Sequence, residues 1–392
     1  MSAPHLFVIA GEPSGDRLGA DLMAGLRAQT GDTVRFSGVG GPLMAGQGLR
    51  SLVPMDRLSV MGLAEVLPRL PEILRLIRRT GDAVTAAQPD ALITIDSPDF
   101  CLRVAARARH RLPGLRTIHY VAPSVWAWRP GRAAKMARVI DHVLALLPFE
   151  PPYMTAAGMS CDFVGHPVAA VPPVDTADRA ALRAHLGVAP DVPLVCLLPG
   201  SRAGEVRRHA PLFGEVWQRV SHARPDLRAI IPTVAARADA VSRIFADMPR
   251  PPLILDPRRL GDRAEPLKRA AFAEARGALA VSGTVSLELA AAGTPMVVTY
   301  LANPISVAIA RRLVRVDHIS LVNLIEEAPV IPEILFGDAT PDRLSAALRQ
   351  VLENPAARAA QTDRFPAALA KLGRGAAPPG DRAARSVLSV LR

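Results

Sequence analysis

A repeated pattern restricts this chain most: a strand-length apolar run, a loop of glycine, proline or acid, then a helix-like stretch. "LFVIA" (residues 6–10) is followed by "GEPSGD" and by "RLGADLMAGLRAQ". "VRFSGVGG", "DALITID" (90–96), "RTIHYV" (116–121) and "HVLALLPF" (142–149) continue the series. Short apolar runs separated by helical stretches imply parallel βαβ units and a doubly wound sheet. The pattern pauses in a polar, proline-rich connection at 171–175. It restarts with "LVCLLPG", "LRAIIPTV", "PLILD", "GALAVSG" and "TPMVVTY". A chain of 392 residues exceeds what one core usually holds. The expectation is an α/β protein of two Rossmann-like doubly wound domains, residues 1–170 and 171–365. A tail, 366–392, ends in a helix that can pack back on the first domain. Two such domains facing each other make a cleft at the C-terminal ends of their strands, where open sheets bind ligands.

Composition removes several classes. Cys101, Cys161 and Cys196 have no pairing spacing and no CxxC, which points to a reducing compartment and away from disulfides or structural zinc. There is no HExxH, and no acids or histidines are spaced as a metal cage, so neither metal nor cofactor is expected. The net charge of +11 is nearly all arginine. It suits phosphorylated substrates, an anionic membrane surface or nucleic acid, and base composition alone could also produce it. Without a basic tail or an RNP-like aromatic motif, nucleic acid is set aside. The N-terminus lacks the basic leader and long apolar core of a signal peptide. From 278 to 310 the only charged residue is Glu288, but Gly283, Gly293, Pro295 and Pro304 cut that stretch into pieces too short to span a membrane.

The loops carry the chemistry. In "GEPSGD", Ser14 or Asp16 can cap the following helix, and Glu12 sets a carboxylate at a strand exit. In "LITIDSPDF", Asp96 ends a buried strand, as a general base or as a turn cap. In "LLPGSRAGEV", Gly200 allows close backbone approach, Ser201 donates a hydrogen bond and Arg202 offers a fork to phosphate. The missing GK[ST] ending excludes a Walker A loop. In "AVSGTVSLELAAAGTP", Ser282-Gly283-Thr284 runs straight into a helix, an anion site suited to a diphosphate. Glu288, one turn in, could accept the ribose hydroxyls or lie on a solvated face.

Together these loops resemble one family, the lipid-A-disaccharide synthases, glycosyltransferases of the GT-B type. The matching pieces are "AGEPSGD", "GVGGPLM", "VMGLAEVL", "IDSPDF", "HYVAPSVWAWR", "LLPFE", "FVGHP", "LLPGSR", "SGTVSLE" and "SLVNLI", in family order from residue 10 to about 325. Cys101 stands where the family has Asn, and Ala122 where it has Ser. The resemblance implies transfer of 2,3-diacylglucosamine from its UDP conjugate to the 6-hydroxyl of 2,3-diacylglucosamine 1-phosphate, with inversion. On that basis Asp96 is the base, and Arg202 with Ser282-Gly283-Thr284 neutralises the departing UDP. Glu288 holds the ribose. Glu12, Ser14 and Asn323 contact sugar or phosphate.

Trp126 and Trp128 either line a site for acyl or sugar groups or anchor the loop as buried indoles, and Arg129 could meet the phosphate of the acceptor sugar. "LSVMGLAEVLPRLPEILRLIRR" (58–79) is amphipathic and ends in Arg75, Arg78 and Arg79. It either dips into an anionic leaflet or packs inside the first domain, and Pro68 and Pro71 argue against one continuous helix. The expected location is the cytoplasm, peripheral on the inner face of the membrane, with homodimerisation open. Two rivals remain: another UDP-sugar GT-B enzyme, such as an N-acetylglucosaminyl transferase or a UDP-sugar 2-epimerase, and a non-catalytic nucleotide-sugar-binding protein.

Overall fold

The computed structural model describes residues 3–58, 63–126, 131–302 and 317–392. The chain divides into two compact units. One is Met1–Ala170 with Leu372–Arg392, and the other is Val171–Lys371.

The first unit holds a six-stranded parallel sheet: β1 (His5–Ala10), β2 (Arg35–Val39), β3 (Ala91–Ile95), β4 (Arg116–Tyr120), β5 (His142–Ala145) and β6 (Ser160–Phe163). Their order is β2-β1-β3-β4-β5-β6. β3 and β5 are buried along their whole length. Side chains alternate between the two faces. Phe7 and Ile9 of β1 join a core with Phe100 and Val104 of helix Pro98–Arg111 and with Leu76, Ile77 and Val84 of helix Leu63–Ala87. Leu6, Val8 and Ala10 join the opposite core, with Leu18, Leu22 and Leu26 of helix Pro13–Thr30 and Ala383, Ala384 and Val387 of helix Pro379–Leu391. The last helix is therefore a structural part of this unit. Its Ser386 hydroxyl donates to Asp162 (2.6 Å) and lies 2.8 Å from His142 Nε2, while Arg382 donates to the Phe163 carbonyl (2.8 Å).

The second unit repeats the plan with β7 (Leu194–Leu198), β8 (Arg228–Pro232), β9 (Leu253–Leu255), β10 (Ala275–Val281), β11 (Met296–Tyr300) and β12 (Glu333–Leu335), ordered β12-β11-β10-β7-β8-β9. Val195, Leu197, Leu279 and Val297 pack on Phe213 and Trp217 of helix Ala203–Ala223 and on Leu344 and Leu348 of helix Pro341–Glu353. On the other face the Cys196 thiol donates to the Ala271 carbonyl of helix Ala264–Glu274. Glu274 of that helix takes Arg179 (2.8 Å) and Arg183 (2.6 Å) from helix Thr176–Leu186.

Two local expectations change. Helix Leu63–Ala87 runs unbroken through Pro68 and Pro71. Each proline forgoes one backbone bond, but both fall in the first three turns, and the later turns are held by Leu76, Ile77 and Val84 in the core. Neither Ser14 nor Asp16 caps the first helix, which starts at Pro13 with Glu12 at the cap position. The Asp16 carboxylate instead accepts from the backbone N–H groups of Gly41 (2.8 Å), Leu43 (3.0 Å) and Met44 (3.0 Å), so it caps helix Pro42–Gly46. Among the described residues no helix is long and apolar enough to cross a membrane, and the three cysteines are free.

Candidate active site

In an open parallel sheet the ligand crevice opens where strand order reverses. That point lies between β1 and β3 in the first unit and between β7 and β10 in the second. The "GEPSGD" and "DSPDF" loops leave β1 and β3. The "PGSR" and "SGT" loops leave β7 and β10.

In the first unit, Ala10 of β1 is in register with Ile95 of β3, and Ile95 with Tyr120 of β4. Glu12 and Asp96 thus emerge on neighbouring strands. Asp96 and Ser97 both adopt left-handed backbone, at φ 53° and 43°. Val121, which leaves β4 at the same edge, has φ 82°. Such conformations cost about 1–3 kcal/mol each and gather at functional sites. They persist here because Asp96 N–H donates to the Tyr120 carbonyl (3.0 Å) and Asp96 Oδ1 accepts from Ser97 N–H (2.9 Å). The Ser97 hydroxyl donates to Glu12 Oε1 at 3.4 Å, linking the two loops. Gly11 permits that approach, since a Cβ there would lie 2.8 Å from Ser97 Oγ.

Around this pair, Cys101 is wholly buried behind Asp96, and its thiol pKa is pushed up by burial and by the charges of Asp96 and Glu12. Asp99 sits on the rim beside Arg132 (3.4 Å). Ser14 is exposed. Trp126 is half-buried and edge-on to Phe149, with ring centroids 5.1 Å apart. It thus serves at least as a loop anchor. Trp128 and Arg129 lie outside the described residues.

In the second unit the "PGSR" loop is organised from within. Glu205 Oε2 accepts from the N–H groups of Ser201 (3.1 Å) and Arg202 (3.2 Å), and Oε1 pairs with the Arg202 guanidinium (3.2 Å). Gly200 (φ 114°) makes room for Glu205, because a Cβ there would sit 2.5 Å from Glu205 Cβ. The Arg202 side chain remains two-thirds exposed. Beyond β10, the Ser282 hydroxyl donates to the Ile319 carbonyl (3.0 Å). The helix that follows, Val285–Ala291, is short, so its dipole is small beside the full charge of the exposed arginine. Glu288 is not on a free solvated face. Its Oε2 meets Lys268 Nζ at 2.6 Å, and Lys268 also reaches Glu265 (3.5 Å). Burial works against that ammonium, but the two carboxylates outweigh it and its pKa is raised.

Asn323 was expected as a ligand contact, but it is buried and its amide is used internally. Nδ2 donates to the Ile331 carbonyl (2.8 Å) and to Glu333 (2.9 Å), and Oδ1 accepts from Ile331 N–H (2.8 Å). Glu333 in turn holds the N–H groups of Ile319 and Ser320. Asn323 therefore shapes the segment on which Ser282 rests. Sequence reasoning missed Glu205, whose signal was the R-x-x-E spacing of a helix start. It also missed Lys268, whose signal was a lysine in a chain with only three.

Two Rossmann-like sheets, each with polar loops at its switch point, define a protein of GT-B architecture. A UDP-N-acetylglucosamine 2-epimerase from Neisseria meningitidis, bound to its UDP-sugar, superposes with TM-score 0.64 over 100% of this chain and 99% of its own, at 9% identity. A trehalose-6-phosphate synthase gives 0.59 over 99% of each chain at 12% identity. At these identities the likeness is one of fold. The profile of the lipid-A-disaccharide synthetase family matches residues 6–377, and the chain belongs to that family. A lipid-A-disaccharide synthase of Ruegeria pomeroyi is 54% identical over 99% of this chain and 95% of its own. One from Rhodospirillum centenum is 48% identical over 98% and 94%.

Proposed function

We propose that the chain is an inverting glycosyltransferase. It moves 2,3-diacylglucosamine from UDP to the 6-hydroxyl of 2,3-diacylglucosamine 1-phosphate, giving the β-1,6-linked disaccharide 1-phosphate and UDP. The observation that carries this is positional. In a chain matched to the family almost throughout, the acid and the anion-binding loops leave their sheets at the two strand-order reversals. Inversion needs one base and a stabilised leaving group. Asp96 takes the proton of the attacking hydroxyl. Its left-handed backbone, tied to β4, fixes where the carboxylate stands. Arg202, with Ser201 and the Ser282–Thr284 turn, takes up charge on the departing diphosphate. Glu288, steadied by Lys268, holds the ribose. Glu12 and Ser14 contact the acceptor sugar, as do Trp126, Trp128 and Arg129.

The substrates carry acyl chains and reside in a bilayer. In helix Leu63–Ala87, Leu70 and Leu74 stay exposed beside the exposed Arg75, Arg78 and Arg79. This face suits contact with the anionic inner leaflet.

The test supplies both acylated sugars in detergent micelles and measures UDP and disaccharide phosphate. Asp96→Asn should fold, bind UDP and lose about 10²- to 10⁴-fold in turnover, the usual worth of a general base. Near-normal turnover would assign the base elsewhere.

A further inference from the structure

His209 has no role in the scheme above. It lies in the second turn of helix Ala203–Ala223, wholly buried, with its ring against Phe213 (centroids 6.4 Å apart) and Tyr300 (5.7 Å). Both ring nitrogens meet backbone. Nδ1 is 2.8 Å from the Glu205 carbonyl, and Nε2 is 2.8 Å from the N–H of Leu301, the first residue past β11. A carbonyl can only accept and an amide N–H can only donate. The polarity of both contacts is therefore fixed: Nδ1 carries the proton and Nε2 takes the Leu301 N–H. Burial, which lowers the imidazole pKa, keeps the ring neutral. Each neighbour leads to one of the two anion loops. Glu205 holds the Ser201 and Arg202 N–H groups with its carboxylate. Ser282 N–H donates to the carbonyl of Thr299 (2.9 Å), two residues before Leu301. β10 lies between β7 and β11. The contact from helix Ala203–Ala223 to Leu301 thus spans the strand that carries the Ser282–Thr284 turn.

We propose that His209 is a positioning residue: it fixes the spacing between the "PGSR" loop and the Ser282–Thr284 turn, so that both meet one diphosphate. This rests on the assignment of those loops to the diphosphate of UDP. The contacts run from Ser201 and Arg202 through Glu205 and His209 to Leu301, and from Thr299 to Ser282, with only short covalent stretches between. The two bonds of the imidazole are unequal. The Glu205 carbonyl lies inside a helix, where the N–H four residues on already serves it. The Leu301 N–H is part-buried, and Nε2 is its acceptor. Without that nitrogen a donor is left unsatisfied, and the end of β11 is released from the helix. The separation of the two loops then changes, rather than the shape of either. Such a change penalises a ligand that touches both loops and spares one that touches neither.

The experiment titrates UDP and uridine into the full-length wild type, Arg202→Ala, His209→Asn and His209→Gln, with a urea titration of each. Asparagine carries a donor near the place of Nδ1 but does not reach Leu301. Glutamine reaches about as far as Nε2 and can turn its oxygen to that N–H. His209→Asn should raise the UDP Kd about threefold to tenfold, the size of one hydrogen bond, and leave uridine unchanged. His209→Gln should recover most of the UDP affinity. A loss that falls equally on UDP and uridine, or one that glutamine does not repair, overturns the proposal and makes His209 a core residue only. An unchanged UDP Kd in His209→Asn, with a weakened one in Arg202→Ala, also overturns it and leaves the diphosphate assignment standing. An unchanged UDP Kd in Arg202→Ala takes the loop from the diphosphate, and the proposal falls with that reading. If His209→Asn fails to fold, the wild type still decides. UDP should slow amide exchange at Leu301 and uridine should not; equal exchange with both ligands overturns the proposal.

Discussion

At the scale of single residues, two charged groups separate what holds the fold from what serves the site. Lys268 joins Glu288 at 2.6 Å, but both side chains are about one-third exposed, so the pair adds little to stability. Lys268→Met should therefore unfold within about 1 kcal/mol of the wild type. If it fixes Glu288 for the ribose, the UDP Kd should rise about threefold to tenfold. Calorimetry and a urea titration read the two quantities separately, and a stability loss at constant Kd would make the pair structural only. Glu150 behaves in the opposite way. Its carboxyl moves from 4.5 to about 7 on folding because burial disfavours the charge. A carboxyl raised in the native state stabilises the fold fully below its unfolded pKa, and that stabilisation is lost as pH rises through 7. Glu150→Gln has no such loss. Its melting temperature relative to wild type should climb between pH 5 and 8, by an equivalent of at most about 3 kcal/mol. A gap that is flat or shrinking over that range contradicts the assignment.

At the scale of elements, the sequence shows a strand where both faces are buried and hides one where they are not. "DALITID" and "LVCLLPG" contain β3 and β7 because central strands are continuous apolar runs. β6, "SCDF", and β12, "EIL", passed unnoticed, and both are short edge strands with no fully buried residue. The site divides along similar lines. The positions of Asp96 and Arg202 in loops after β3 and β7 were legible, because apolar strand runs end just before them. The hydrogen bonds of Asp16, Glu205 and Asn323 were hidden, because they go to amides whose positions only the folded chain defines. Helix Leu63–Ala87 was expected to break at its prolines, since a local penalty is visible in sequence and the core contacts that outweigh it are not. The same helix carries a prediction. Leu70→Ser with Leu74→Ser should leave the core untouched and weaken flotation with anionic vesicles, with little change for neutral ones. Equal flotation of variant and wild type would exclude this face as the membrane contact.

At the scale of the whole molecule, the two units differ in how the chain builds them. Val171–Lys371 is one uninterrupted stretch, whereas the other unit needs Leu372–Arg392 to close one face of its sheet. Removal of 372–392 should strip Ala383, Ala384 and Val387 from the core over Tyr120 and Leu144 and expose the His142–Ser386–Asp162 contacts. The shortened chain should lose the first unit's protection from proteolysis and all transferase activity, yet still bind UDP through 171–371. Loss of UDP binding as well would show that the second unit does not stand alone.

That arrangement also fixes an order of events during synthesis. On the ribosome, the half begun first is finished after the other, because one face of its sheet stays only partly covered until helix Pro379–Leu391 emerges. The half begun second can complete itself meanwhile. For that interval Leu6, Val8, Ile93 and Ile118 lack their last cover, so the nascent chain is most prone to aggregate just before that helix emerges.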